Sequence, residues 1–348
     1  MAPDSLPAAL DYPLEPPLAD GSVVEVAPGI LWARMPMPMS LDHINVYLLR
    51  ADDGWTLVDT GLNTEAVRRL WLHIAATHLE GLPVKAVLCT HYHYDHAGLA
   101  HWLTGHFKVP LYMTHGEYYM LRMASLPPSD PMPDAHRDFF TRAGMPDAVM
   151  APMMEALHAD PFLAPAPLAF RRLRGGDVLE IGARRWRVVI GEGHSPEHAC
   201  LYCEDDRILV AGDQLLPRIS SNVAVTCVEP EANPLQLWLE SLDRLDELAA
   251  DTLVLPSHQR VYRGLHARVQ QLREHHAREF DKVGAYVREN PDCTAFEAMM
   301  CMFPKLRSPM DHLLGLGEAI AHLSWLRYAG TIRRVLDDDG RYTFSIMK

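Results

Sequence analysis

With 348 residues, 48% of them apolar and 22% charged, the chain has the composition of a folded globular protein of about two domains, not a disordered or fibrous one. Charges, prolines or histidines interrupt every apolar run before the roughly 18 to 20 residues that span a bilayer, which argues against an integral membrane protein. Against 45 Asp and Glu there are 32 Lys and Arg, and the formal charge of −13 sets the mean field against a nucleic-acid partner.

The stretch from Met1 to Ser22 is rich in Pro, Ala and acidic residues and has neither the basic start nor the continuous apolar run of a secretory signal. The six cysteines (Cys89, Cys200, Cys203, Cys227, Cys293, Cys301) are dilute and unpatterned, as expected of reduced thiols in the cytoplasm. Cys200 and Cys203 have the spacing of half a zinc knuckle. They lie in a strand pattern that turns their sulfurs to opposite faces, and no second pair follows.

Short strands open the chain as a meander: Val23 to Val26, Ile30 to Ala33, Asn45 to Leu49 and, after Asp52-Asp53-Gly54, Trp55 to Val58. Thr64 to Leu79 reads as a helix with Val67, Leu70, Trp71 and Ile74 on one face, and a buried strand from Val84 to Leu88 follows. Residues 123 to 168 form a Pro- and Met-rich insertion of short helical stretches with little sheet, holding nine of the 27 prolines. Eight of the 17 methionines lie between Met113 and Met154, suited either to an adaptable pocket for an acyl or aromatic substrate or to a packed lid or dimer contact.

Strands return at Val178 to Ile181, Arg185 to Ile190, Ala199 to Cys203 and Ile208 to Ala211, and a helix from Pro234 to Leu248 leads to a strand from Thr252 to Leu255. This alternation points to layered α/β or α+β packing over residues 1 to 264. From residue 265 to 348 the texture is helical: Gly264 to Asn290, Thr294 to Met302 and Met310 to Tyr328, then two strands around Asp338-Asp339-Gly340, the order of a winged helix. The only Lys or Arg of Met310 to Tyr328 is Arg327, whereas Leu313, Leu314, Leu316, Ile320, Leu323, Trp325 and Leu326 crowd it. This is a packing helix, expected to dock on the catalytic domain or on a second subunit of a homodimer, not to read phosphates.

Chemistry concentrates in Thr90-His91-Tyr92-His93-Tyr94-Asp95-His96, directly after an apolar strand. Four ligand-type side chains fall within six residues, and the intervening Tyr92 and Tyr94 are expected to turn away into the core. Further candidates follow strands downstream: His194 in Gly193-His194-Ser195-Pro196-Glu197-His198, Asp213 in Ala211-Gly212-Asp213, and His258 in Pro256-Ser257-His258. Nineteen histidines make any single one unremarkable, but strand ends that open on one side gather them into a site for a divalent metal.

The ordered set His91-x-His93-x-Asp95-His96, His194, Asp213 and His258, preceded by Asp59 in Val58-Asp59-Thr60-Gly61, resembles the metallo-β-lactamase superfamily over about residues 22 to 262. The tail resembles the winged-helix extension of some glyoxalase II-like members. The resemblance implies an αββα sandwich of α+β class with a helical C-terminal domain. It implies two zinc ions per chain (iron or manganese fitting the same ligands), one held by His91, His93 and His194, the other by Asp95, His96 and His258, with Asp213 bridging. It also gives Asp59 the task of orienting a ligand histidine.

Two such cations, about 3.5 to 4 Å apart, turn a bridging water into a hydroxide nucleophile, with Asp95 orienting it and moving its proton. The expected activity is hydrolysis of a small carbonyl substrate: an ester, thioester or lactone, with a β-lactam ranked behind them. The alternatives are a metal-dependent nuclease, against which the acidic charge speaks, and a mononuclear iron sulfur dioxygenase, against which the complete second ligand set speaks. Glu197 stands where the family usually has Gly, and is expected to make the neighbouring surface more polar. His198 is either a further support for the metals or an ordinary strand start, and Ser220, Ser221 and Asn222 are candidate substrate contacts.

Overall fold

A computed structural model describes residues 10–39, 41–126, 134–159 and 164–347 of the chain. Parts of the N-terminal stretch and of the Pro-rich insertion named above therefore lie outside the described residues. The chain forms two compact units, one of Met1–Leu126, Phe162–Ser221 and Asp243–Val269, the other of Pro127–Pro161, Asn222–Leu242 and Gln270–Lys348.

In the first unit β1 (Val23–Ala27), β2 (Ile30–Pro36), β3 (His43–Ala51) and β4 (Gly54–Val58) pair antiparallel in succession, as the meander predicts. Ala51 pairs with Gly54, so the turn is Asp52-Asp53 and the glycine already belongs to the strand. Gly54 is required there by crowding: a Cβ would run into the carbonyl of Pro83, which also accepts from Trp55 N at 2.9 Å. The crossover helix α1 (Glu65–Thr77), capped by the Thr64 hydroxyl, carries the chain to β5 (Val84–Leu88), which lies parallel to β4. Helices α2 (Tyr94–Ala97) and α3 (Ala100–Phe107) lead to β6 (Leu111–Thr114) and α4 (His115–Ala124). With β7 (Arg171–Leu173) these strands make a seven-stranded sheet in chain order.

The second sheet contains β8 (Val178–Ile181), β9 (Arg184–Gly191), β10 (His198–Cys203), β11 (Ile208–Gly212) and β12 (Leu253–Pro256) in the order β12-β11-β10-β9-β8. Alternation along β3 shows how the layers form: Tyr47 and Leu49 join Trp32, Trp186, Leu201, Val210 and Leu255 between the sheets. Val46 and Leu48 join Leu57, Trp71, Ile74, Leu103 and Leu121 in a separate apolar layer under the helices. Burying apolar side chains on both faces of one sheet is what commits the chain to a layered sandwich. Because β9 and β10 are antiparallel, β10 and β11 antiparallel and β11 and β12 parallel, the C-terminal ends of β9, β11 and β12 share one rim of the second sheet.

The second unit holds α5 (Asp134–Arg142) and α6 (Asp147–His158) of the insertion, and the first residues of α7 (Pro234–Asp246). Most of α8 (Leu265–Glu289) belongs to it, followed by β13 (Cys293–Thr294), α9 (Ala295–Met302), α10 (Pro309–Tyr328), β14 (Ile332–Leu336) and β15 (Tyr342–Ile346). Capping boxes at Thr294 with Glu297 and at Ser308 with Asp311 start α9 and α10. The three helices are followed by the hairpin of β14 and β15 in the expected order, and β13, which was not expected, adds a third strand beside β15. Gly315 to Leu326 of α10 is buried almost throughout, packed against α9 and α6, while Val225 N donates to Gly317 O at 3.0 Å. Leu316, Ile320, Leu323 and Leu326 of α10 are buried, as are Met145, Met150 and Met153 of the Met-rich insertion, whereas Leu314 is exposed.

Candidate metal centre

The candidate ligands follow the C-terminal ends of strands, where side chains project past the last ladder bonds; His91, His93, His194, Asp213 and His258 lie in loops, and Asp95 and His96 in the short helix α2 that follows His93. His91, His93, His194 and Asp213 offer ligand atoms within 4.8 Å of one another, and so do Asp95, His96 and His258. His91 Nε2 is 2.9 Å from His93 Nδ1 and 3.3 Å from His194 Nε2. Asp95 Oδ2 is 3.4 Å from His96 Nε2 and 3.3 Å from His258 Nε2. Asp213 faces both groups with different oxygens: Oδ2 is 3.5 Å from His194 Nε2, while Oδ1 is 3.5 Å from His96 Nε2 and 3.4 Å from His258 Nε2.

The far sides of the rings are tied down. Asp59 Oδ2 is 2.9 Å from His96 Nδ1, and the same carboxylate accepts from Thr90 N (2.8 Å) and the Thr90 hydroxyl, which lies 3.1 Å from His91 Nδ1. Asp59 is left-handed, at φ 61°, and the two residues after it clasp the ligand turn: Thr60 N donates to His96 O and Gly61 N to Asp95 O, both at 2.9 Å. His258 Nδ1 is 2.9 Å from His43 O, and its loop is pinned by Asn45 N to Ser257 O (2.6 Å) and by the Tyr47 hydroxyl to Pro256 O (2.8 Å). The carboxylate of Asp59 and the carbonyl of His43 can only accept, so His96 and His258 carry a proton on Nδ1, the tautomer whose Nε2 is free to face a metal.

His198 lies beside a candidate ligand. It begins β10, and its Nε2 accepts from Asp213 N at 3.1 Å, over Gly212, whose φ is 53° and which has no room for a Cβ beneath the ring. Tyr92 and Tyr94 pack against the apolar layer as expected. Glu197 differs from expectation. It is half-buried, and Oε2 accepts from Gly116 N at 2.7 Å, so it caps the N-terminus of α4, whose own Thr114 makes no side-chain cap. Ser221 donates its hydroxyl to Asp213 O, Ser220 to Ser221 O at 3.4 Å, and Asn222, in the second unit, donates to Glu318 at 2.9 Å.

Burial, reinforced by neighbouring imidazoles, holds His91 well below the usual histidine range and His93 at about 3. These are neutral donors. Burial also opposes charge on His96 and His258, but Asp95 and Asp213 outweigh it, raising His96 strongly and His258 to about 10, while both carboxyls are held low. The second group therefore attracts positive charge. His96 Nε2 and Asp213 Oδ1 are buried without a hydrogen-bond partner among the described residues, and nitrogen and carboxylate donors in these numbers suit a borderline divalent cation. The residues present fit metal ions.

Spacing gave no hint of Glu117. It is fully buried on α4, and accepts from Tyr92 N (3.0 Å), the Ser195 hydroxyl (2.6 Å) and Glu197 N (2.7 Å). An acid in an amphipathic helix carries no local sign that it serves two distant loops.

A family model described as Metallo-beta-lactamase superfamily matches residues 39–258, and one described as Metallo-beta-lactamase-like, C-terminal domain matches residues 280–347. The chain belongs to the metallo-β-lactamase superfamily, whose fold and metallo-hydrolase class it shares. It is similar to a crystal structure of a beta-lactamase domain protein from Burkholderia ambifaria, with 44% identity, TM-score 0.89, and 97% of this chain and 98% of that one covered. It is 27% identical to "Probable metallo-hydrolase YqjP" of Bacillus subtilis, covering 92% of this chain and 98% of the relative. A more distant relative is the acyl-coenzyme A thioesterase MBLAC2 of Gallus gallus, 26% identical over 53% of this chain and 62% of its own length.

Proposed function

We propose that the chain hydrolyses an acyl thioester, or a related ester or lactone, at a centre of two divalent cations, zinc before iron or manganese. His91, His93, His194 and Asp213 would hold one cation, and Asp95, His96, His258 and Asp213 the other. The observation that carries this reading is the divided carboxylate of Asp213, whose oxygens face different ligand groups. When bound, two such ions supply Lewis acidity and hydroxide near neutral pH.

The chain's own part is to orient and to move a proton. Asp95, kept ionised, is suited to accept the proton of an attacking water. Neutral His91 and His93 offer lone pairs without losing a proton first. Among acyl substrates, the thioester is favoured by the thioesterase relative, and a small-molecule partner suits the charge of −13 better than nucleic acid does. Six free cysteines, four of them buried, support a reducing compartment such as the cytoplasm.

The test is a panel assay on protein stripped by a chelator and reloaded with zinc, with metal content measured alongside. Acetyl-coenzyme A, a longer acyl-coenzyme A, p-nitrophenyl acetate, a γ-lactone and single-stranded RNA cover the candidate classes. Two metals per chain and the highest kcat/KM on a thioester are expected. One metal in fully active protein, or RNA cleavage without acyl hydrolysis, would overturn the proposal.

A further inference from the structure

We propose that Glu117 is a positioning residue that sets the separation of the two loops carrying His91, His93 and His194, and so preassembles the first metal group. The inference deepens the two-metal reading and rests on it. Glu117 Oε2 accepts the amide between the first two ligands, that of Tyr92, at 3.0 Å. Oε1 accepts twice from the residues that follow the third ligand, His194: from the Ser195 hydroxyl at 2.6 Å and the Glu197 amide at 2.7 Å. One buried carboxylate thus spans a loop of the first sheet and a loop of the second.

The position of the carboxylate is itself fixed. It lies in the first turn of α4, and that turn is anchored to the same loop by Gly116 N to Glu197 Oε2 and by the Thr114 hydroxyl to Glu197 O, both at 2.7 Å. All three of its partners present donors to it, which suits an ionised acceptor. Burial pushes Glu117 up to about 7, and the three donors oppose that rise. A buried acid is costly unless it serves its partners. Here the partners are two backbone amides and a serine hydroxyl beside ligands, not the ligands themselves, so the effect on the metal is one of geometry: the three nitrogens converge only if the two loops keep their spacing.

Isosteric replacement separates this role from bulk stability. In Glu117→Gln one amide oxygen can still accept from Ser195 and Glu197, but the NH2 group then meets the Tyr92 N–H donor to donor. The experiment measures zinc affinity by competition with a chromophoric chelator in two backgrounds. In His258→Ala only the first ligand group is complete, and in His93→Ala only the second. Glu117→Gln is expected to weaken zinc binding about 10- to 100-fold in the first background and to leave it unchanged in the second. Ser195→Ala, which keeps the carboxylate and removes one arm, is expected to give a smaller loss with the same site selectivity.

Equal weakening in both backgrounds, or wild-type affinity in the first, would overturn the positioning role while leaving the two-metal reading standing. Wild-type protein that takes up no zinc would overturn both. If Glu117→Gln fails to fold, Ser195→Ala alone decides, since selective weakening supports the proposal and its absence overturns it.

Discussion

Asp59 Oδ2 and His96 Nδ1 stand 2.9 Å apart with both side chains out of solvent, and the contact decides which nitrogen of His96 faces the metal groups. An ionised carboxylate can only accept, so Nδ1 carries the proton and Nε2 keeps its lone pair. Asp59→Asn is the informative change, because Asn tolerates the left-handed backbone at φ 61°. Its amide must present a donor either to His96 or to Thr90 N, and the first choice forces the wrong tautomer. Zinc affinity of the second group is expected to fall about 10- to 100-fold with the fold intact. Unchanged affinity in the His93→Ala background would sink this account.

Asp95→Ala removes a candidate ligand and the proposed proton acceptor together. Turnover is expected to fall by about two to four orders of magnitude, while the thermal midpoint of zinc-loaded protein moves little. Near wild-type kcat on the preferred acyl substrate would exclude this role for Asp95.

The site was largely legible in the sequence because its ligands sit where strands end, so apolar runs announce where each loop begins. The tail was legible for a similar reason, since Ser308-Pro309 and Thr294 mark helix starts by local chemistry. Strands β6 and β7 were missed because Leu111–Thr114 and Arg171–Leu173 are too short to show a period. Glu117 was missed because its partners lie 25 to 80 residues away. The gathering of 127–161 and 222–242 with the tail depends on long-range packing, such as Val225 against Gly317, that no local pattern encodes.

Gly212 occupies a place that no other residue fits. Its φ of 53° costs an L-residue about 1 to 2 kcal/mol, and a Cβ would displace the His198 ring that holds Asp213 N. Gly212→Ala is expected to lower the thermal midpoint and to abolish binding of the second zinc ion. A variant that melts lower yet still binds two ions tightly would show that His198 does not position Asp213.

The second unit carries its own acid sensitivity. His276 and His322 lie with rings 5.8 Å apart, and burial holds them at about 3 and about 4 against an ordinary 6.5. His275 lowers both further, as Lys282 does His322, whereas Glu279 and the Glu318 carbonyl raise His322. Because the folded values are depressed, unfolding takes up protons once pH drops below 6.5. Stability present above 6.5 is then lost as pH falls toward 4, at up to about 1.4 kcal/mol per pH unit for each ring. Urea unfolding of wild type and His322→Gln between pH 7 and 5 reads this directly. The wild type is expected to lose more, and parallel curves for the two proteins would refute the assignment.

Cutting the chain after Tyr262 removes α9 and α10 together but leaves two other parts of the unit that α10 packs against, the helix Asp147–His158 and the segment around Val225. Met150 and Met153 of that helix are buried in the intact protein, and burying a side chain of that kind is worth about 1.5 to 3 kcal/mol. The exposed remainder would be an apolar surface with no cover. The truncated chain is therefore expected to aggregate on size-exclusion chromatography or to melt several degrees lower than the full chain. Were the tail a mere DNA tether, the shortened protein would elute as one species, melt at the full-length temperature and keep its acyl hydrolase activity, and the isolated tail would bind duplex DNA with a steep salt dependence.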